Sequence, residues 1–236
     1  MRDRLFVAGV IGAVALLVAV AVLALSIGRY NPSPPSLEHD PDPAIPGRVV
    51  FMDRDGCIVI AEASGASRED VYCSALHVFS VTWVDEHTIA FMESTADPAG
   101  RGTLLDLRTR ETLPGTAPGY VMPSPVSVNG EAVSVDSDGN LLVSKDGRVT
   151  TIASFDIPRN ASPFPFTWSP DGEWILIEYY PPRADGGELW IVSRTGAIKG
   201  TLAKGVRGGG ASWWIDGHGY TPPIAPTATP PKPSPR

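Results

Sequence analysis

Two cysteines, four histidines and a few closely spaced acids are the residues of this chain with chemistry to offer, and their spacing limits that chemistry. His39, His77, His87 and His218 lack the i, i+4 or CxxC-type spacing that gathers metal ligands, so they read as surface or satisfied residues and no metal is expected. Asp53 and Asp55 stand two apart, as do Asp136, Asp138 and Asn140, but both runs stop short of a full calcium loop and read as turn-makers. No G-x-S-x-G elbow occurs, and the GGGAS run at 208–212 lacks the lysine of a phosphate-cradling loop. The NAS triplet at 160–162 fits a glycosylation acceptor only formally. No catalytic residue and no cofactor is therefore expected. One catalytic alternative stays open, a hydrolase whose acids Asp85, Glu86, Glu93 and Glu178 converge on a central channel.

Cys57 and Cys73 lie equidistant from Gly65, where SGA at 64–66 predicts a hairpin tip. Residues equidistant from a tip face each other on adjacent strands, so a disulfide is geometrically reasonable; two buried free thiols are the alternative. The other conspicuous set is aromatic. Trp83, Trp168, Trp174, Trp190, Trp213 and Trp214, with Tyr179, Tyr180 and Tyr220, gather toward the C-terminal end. Alternation along a strand sends neighbours to opposite faces, so of Trp213 and Trp214 one packs inward and the other reaches a rim. Trp213, Trp214 and Tyr220 are the candidate binding residues at that rim, because large amphipathic rings make good contact anchors.

The elements that must hold these residues follow from composition. The 236 residues include 24 Gly and 24 Pro, which argues against a large helical bundle. A net charge of -7 leaves no basic footprint for a phosphate backbone, so nucleic acid is excluded as an expected partner. Residues 5–27 carry no charge, and as a helix they would extend about 34 Å, enough to cross a bilayer. The run is too long for the core of a cleaved signal peptide and no clean A-x-A site follows, so an uncleaved anchor is expected. Arg2 and Arg4 precede it, placing residues 1–4 in the cytoplasm and the bulk of the chain outside the cell membrane. Gly9 and Ala13 form a small-xxx-small pair compatible with a homo-oligomer. Residues 28–47 read as a Pro-rich stalk and 221–236 as a Pro/Thr-rich disordered tail.

Residues 48–220 form a repeat. Trp83, Val126, Trp168 and Trp213 recur at steps of 43, 42 and 45, each just ahead of a turn. After each turn come short apolar runs separated by further turns, giving four strands per unit. Asp55-Gly56, Asn129-Gly130, Asp138-Gly139, Asp146-Gly147, Asp171-Gly172 and Asp216-Gly217 fall at predicted turns, where such pairs permit tight hairpins. The run RVVFM at 48–52 opens on a second strand, and ASWWI at 211–215 is a first strand with almost nothing after it. The two fragments complete one another. The expected fold is therefore all-β, a β-propeller of about four four-stranded blades closed by pairing of its terminal strands and preceded by one transmembrane helix.

The strings FTWSPDGEWILI at 166–177 and GELWIVSRTG at 187–196 resemble the WD40-like repeat of the TolB-type β-propellers, strongly in that blade and partially at 212–217. The resemblance implies a propeller and extracytoplasmic binding, and no catalytic residues. The expected function is a membrane-tethered, noncatalytic binding or scaffold module for a protein, peptide or glycan. A partial propeller completed by another chain is a further possibility, because propellers of this kind usually have six or more blades.

Overall fold

The computed structural model describes residues 41–95, 101–115, 126–157, 163–181 and 184–220. The expected cytoplasmic terminus at 1–4, the span at 5–27, the stalk up to residue 40, the NAS triplet and the tail at 221–236 lie outside the described residues. No helix among the described residues is long and apolar enough to cross a membrane. The described chain is all-β.

Strands β1 (Arg48–Asp53), β2 (Cys57–Glu62) and β3 (Arg68–Cys73) are successive antiparallel neighbours. They are followed by a separate four-stranded sheet of β4 (Val78–Asp85), β5 (Thr88–Glu93), β6 (Arg101–Asp106) and β7 (Thr112–Pro114). A three-stranded sheet holds β8 (Ala132–Val135), β9 (Asn140–Lys145) and β10 (Arg148–Ser154). The last group is β11 (Pro163–Trp168), β12 (Trp174–Tyr179), β13 (Gly187–Ser193), β14 (Lys199–Ile215) and the two-residue β15 (Gly219–Tyr220).

β14 joins two groups. Its early part pairs with β13, and its last residues pair with β1 in the register Trp213↔Val49 and Ser212↔Val50. One strand is thus the outer strand of the β11–β13 unit and the inner strand of the β1–β3 unit, and the terminal strands pair. We call the unit of late β14 with β1–β3 the first, β4–β7 the second, β8–β10 the third, and β11–β13 with early β14 the fourth.

Turn chemistry sets the hairpins. Asp146 and Gly147, at φ 49° and 76°, form the two-residue β9–β10 connection, and two positive φ values match the twist of antiparallel strands. Asp136 Oδ1 accepts the backbone N–H groups of Asp138 and Asn140 at 2.9 Å each, so the paired carboxylates of that run are a turn. Asp53 Oδ1 does the same for Asp55 and Cys57.

Three core clusters join the units. One packs Val50, Met52 and Ile58 of the first unit against Val81, Trp83 and Phe91 of the second. Another packs Val49, Phe51 and Trp213 of the first against Leu176, Leu189 and Ile191 of the fourth. The third packs Trp168, Ile177 and Trp190 of the fourth against Val133 and Leu141 of the third. The sequence β12 WILIEY is buried along most of its length because both faces meet a neighbour.

Two expectations are corrected. The stalk does not extend to residue 47: Pro41 and Ile45 are buried, Ile45 in the cluster around Trp213, and the Trp213 indole donates to the Pro46 carbonyl at 3.1 Å. Ile45 is an apolar side chain in a Pro-rich run, and burying it draws the segment onto the sheet. Gly47, at φ 91°, completes that contact, because a Cβ there would strike the Trp214 carbonyl and the Trp213 ring. The third unit lacks its first strand among the described residues, where Val126 makes one isolated bridge to Ala132. Among the described residues the three core clusters join the first unit to the second, the first to the fourth and the third to the fourth.

Candidate functional site

The sequence-derived aromatic candidates part company along late β14. Trp213 is 0% exposed and belongs to the core, out of reach of any ligand. Trp214, on the opposite face, is half-buried; its ring lies 6.0 Å from Trp83 and its indole N–H donates to Asp216 at 2.9 Å. Tyr220 pairs with Trp214 through β15 and packs half-buried on the same cluster. Arg48 is the cross-strand partner of Trp214, and its guanidinium stands 5.1 Å over the Trp83 ring and 3.9 Å from Asp216. Arg48 links Trp214 and Tyr220 to a larger feature.

That feature is a cleft of about 350 Å³ between the first and second units. Ile60, Val71 and Leu107 give it an apolar part, and Arg48, Arg108 and Arg110 line it together with Glu62, Glu69, Glu86 and His87. The arginines are held in place. Arg48 also donates to the Glu86 carbonyl at 3.4 Å. Arg108 pairs with Asp106 at 3.1 Å, and hydrogen bonds from the Arg108 side chain and backbone hold the Asp106 carboxyl down at about 2. Arg110 sits at φ 62°, a conformation that costs a non-glycine residue about 1 kcal/mol. From there its guanidinium reaches the Glu69 carboxylate and the Val71 carbonyl of the neighbouring unit. Sequence reasoning singled out Glu86 but missed Arg108, and missed Glu69 and Arg110, whose roles depend on contacts between residues 39 and 41 positions apart.

The four acids of the hydrolase alternative do not converge on one channel. Asp85 accepts the His87 backbone N–H at 2.8 Å as a turn former, and Glu86 lines the cleft beside it. Glu93 lies at the other end of β5, about 16 Å along a strand rising 3.3 Å per residue. There it is buried and accepts hydroxyls from Ser74 at 2.6 Å, Tyr72 at 3.3 Å and Thr103 at 3.4 Å. Glu178 belongs to the fourth unit; burial pushes its carboxyl above the usual range, partly offset by the Tyr180 hydroxyl donating at 2.6 Å. Tyr179 on the opposite face is pushed up to about 12 by burial and by the charge of Glu188.

Cys57 and Cys73 are register partners joined by a disulfide. Asp53, Cys57 and Asp70 bring metal-ligand types within 4.8 Å, but the Cys57 sulfur is committed to Cys73 and Asp53 to the turn it caps. Of the histidines, His39 lies outside the described residues, and His87 stands 3.8 Å from Glu86 in the cleft. At the third–fourth junction, buried Glu131 accepts Arg194, which also reaches Glu173 at 3.5 Å; both contacts favour the charged guanidinium.

No family model matches the chain, and no curated protein matches it in sequence. Among solved structures it is similar to TolB from Acinetobacter baumannii, at 17% identity and a TM-score of 0.25, over 75% of this chain and 53% of that one. It is also similar to the tricorn protease, at 18% identity and a TM-score of 0.27, over 71% of this chain and 17% of that one. A putative TolB from Agrobacterium tumefaciens gives 15% identity and a TM-score of 0.25, over 72% and 65%. The chain spans about half the length of the Acinetobacter TolB.

Proposed function

We propose that this chain is a noncatalytic binding module, tethered to the membrane by residues 5–27 and held outside the cytoplasm, that captures a peptide segment of a partner protein in the cleft between its first and second units. The observation that carries this reading is the cleft itself: Ile60, Val71 and Leu107 beside arginines and glutamates, of which Arg48, Arg108, Arg110 and Glu69 are already held by partners. Its volume of about 350 Å³ falls within the range of ligand pockets, and preset charges reduce the entropy lost on binding. Charges of both signs beside apolar side chains suit a peptide with charged residues flanking an apolar one. Trp214 and Tyr220 extend the surface at one end through Arg48.

The test is peptide-library selection against the full chain in detergent, repeated with Arg110→Ser and Trp214→Ala. Enriched peptides that lose tenfold or more in affinity with Arg110→Ser support the cleft; equal enrichment in both variants removes it. The tether is tested by alkaline extraction of membranes, after which the chain stays in the pellet; release into the supernatant would overturn it. A hydrolase is the second reading, favoured by Glu62, Glu69, Glu86 and His87 sharing the cleft. Turnover of a peptide or glycoside that vanishes in Glu86→Gln would establish it.

A further inference from the structure

The junction between the third and fourth units repeats the one that holds the cleft, and backbone pairing matches the two residue by residue. In the first unit Val50 faces Ile60 and Arg48 faces Glu62. In the third unit Val133 faces Val143 and Ala132 faces Ser144; one pair further along, the Glu131 carboxylate stands 3.8 Å from Lys145. Asp53 and Asp136 fix the two registers alike, each accepting the N–H groups two and four residues ahead. Glu131 and Lys145 are therefore the counterparts of Arg48 and Glu62.

The second and fourth units match in the same way. The Leu107 N–H donates to the His87 carbonyl, and the Arg194 N–H donates to the Glu173 carbonyl, both at 2.8 Å. Turns of equal length follow, closed by Asp106 donating to the Glu111 carbonyl and Ser193 to the Ile198 carbonyl. Leu107 and His87 thus hold the places of Arg194 and Glu173. At the third–fourth junction Arg194 crosses to the buried Glu131 carboxylate and reaches Glu173 at 3.5 Å. At the first–second junction this set is inverted: arginine stands for Glu131, glutamate for Lys145 and histidine for Glu173, while the central arginine is a leucine. Arg48, Glu62, His87 and Leu107 all line the cleft.

We infer that the cleft takes a carboxylate of the bound peptide, which docks on Arg48 over Leu107 and completes from outside, with signs reversed, the ion pair that Arg194 and Glu131 make from within. This rests on the reading of the cleft as a peptide site and names what that site selects. A leucine cannot form the pair, and a planar guanidinium suits a carboxylate because its fork meets both oxygens. Arg48 reaches the Glu86 carbonyl at 3.4 Å and the Asp216 carboxylate at 3.9 Å through one and the same terminal nitrogen, and Asp216 is 82% exposed. The other acids around the cleft have cations beside them: Asp106 pairs with Arg108, Glu69 with Arg110, and Glu86 lies 3.8 Å from His87. Glu62 holds the place of Lys145, which is itself of the same sign as Arg194, so one like charge belongs to the pattern.

The experiment selects randomised displayed peptides on the full chain in detergent and resynthesises each enriched peptide in three forms: as selected, with its acidic side chains converted to amides, and with its C-terminus amidated. Acidic peptides are expected, and neutralising the bound carboxylate should cost tenfold or more in affinity; the form that loses it tells a side chain from a chain end as the source. The charge swap Arg48→Glu with Glu62→Lys installs the pair that the third unit already folds around, and should turn the selection from acidic to basic peptides. An acidic preference that survives the swap overturns the inference. Capture that depends on Arg110 but not on peptide charge, read on the unaltered chain, overturns it too and leaves the cleft a peptide site. Absence of any Arg110-dependent capture overturns both readings.

Discussion

The junction between the first and second units and the boundary between the second and third use the same repeat position, but one holds Trp83 and the other Val126. Around Trp83 the indole N–H donates to the Ser212 carbonyl at 3.1 Å, Thr82 and the Trp83 backbone share the Ser212 hydroxyl, and Arg48 covers the ring. Val126, which has no ring, bridges Ala132 of its own unit. The repeat sets the spacing of the units, and an indole at that position adds contacts between neighbouring units. Hydrophobic burial is proportional to area, and an indole supplies both area and a directional donor that a valine lacks.

The comparison breaks most readily at its strongest point. Trp168→Ala and Trp83→Ala should each cost about 3–5 kcal/mol in urea unfolding, whereas half-buried Val126→Ala should cost under about 1 kcal/mol. Equal losses at the two kinds of position would falsify the idea that the indole supplies the contact between units. Next in size is the disulfide, which joins residues 16 apart in the unit completed by β14. Cys57→Ser with Cys73→Ser should lower stability by about 3 kcal/mol by freeing the unfolded chain, and a smaller loss would mean that the terminal pairing alone holds that unit.

A smaller effect concerns what the fourth unit buries. Glu178 has a raised carboxyl, so the folded state binds its proton more tightly than the unfolded state does. Its penalty is absent below the ordinary carboxyl range and grows as pH rises through the folded value. Glu178→Gln should therefore raise the melting temperature at pH 7, with the gain vanishing below about pH 4; a gain that persists in acid would point to packing. The smallest change is at Tyr179, whose buried hydroxyl has no hydrogen-bond partner among the described residues. Tyr179→Phe should be neutral or stabilising by up to about 1 kcal/mol, and a loss beyond that would reveal a bond to that oxygen.

The strands and their order were legible because they rest on local signals: apolar runs of strand length and Asp-Gly or Asn-Gly pairs between them. The pairing of 211–215 with 48–52 was legible for a different reason, as two incomplete units at the ends of one repeat. The cleft was not. Arg110 has a positive φ that nothing in TRET at 109–112 announces, and its partners Glu69 and Val71 belong to another unit. Likewise the Arg194–Glu131 pair spans 63 residues and follows from how two units stack. Trp213 looked equivalent to Trp214 as a rim residue because alternation separates two faces without saying which of them is covered. At Ile45 the Pro-rich composition hid a core residue.

β14 also dictates when this protein can finish folding. The edge of β1, made among the first described residues, waits for residues 211–215, so during synthesis the chain carries a bare strand edge until nearly its last described residue has emerged. Such an edge is a template for wrong pairing, and its closure over more than 150 positions is slow compared with the local hairpins around it. A truncation that removes only residues 211–220 would leave most of the sequence intact and yet strand the N-terminal unit without its inner strand. In its order of assembly, the protein is finished from its end back to its beginning.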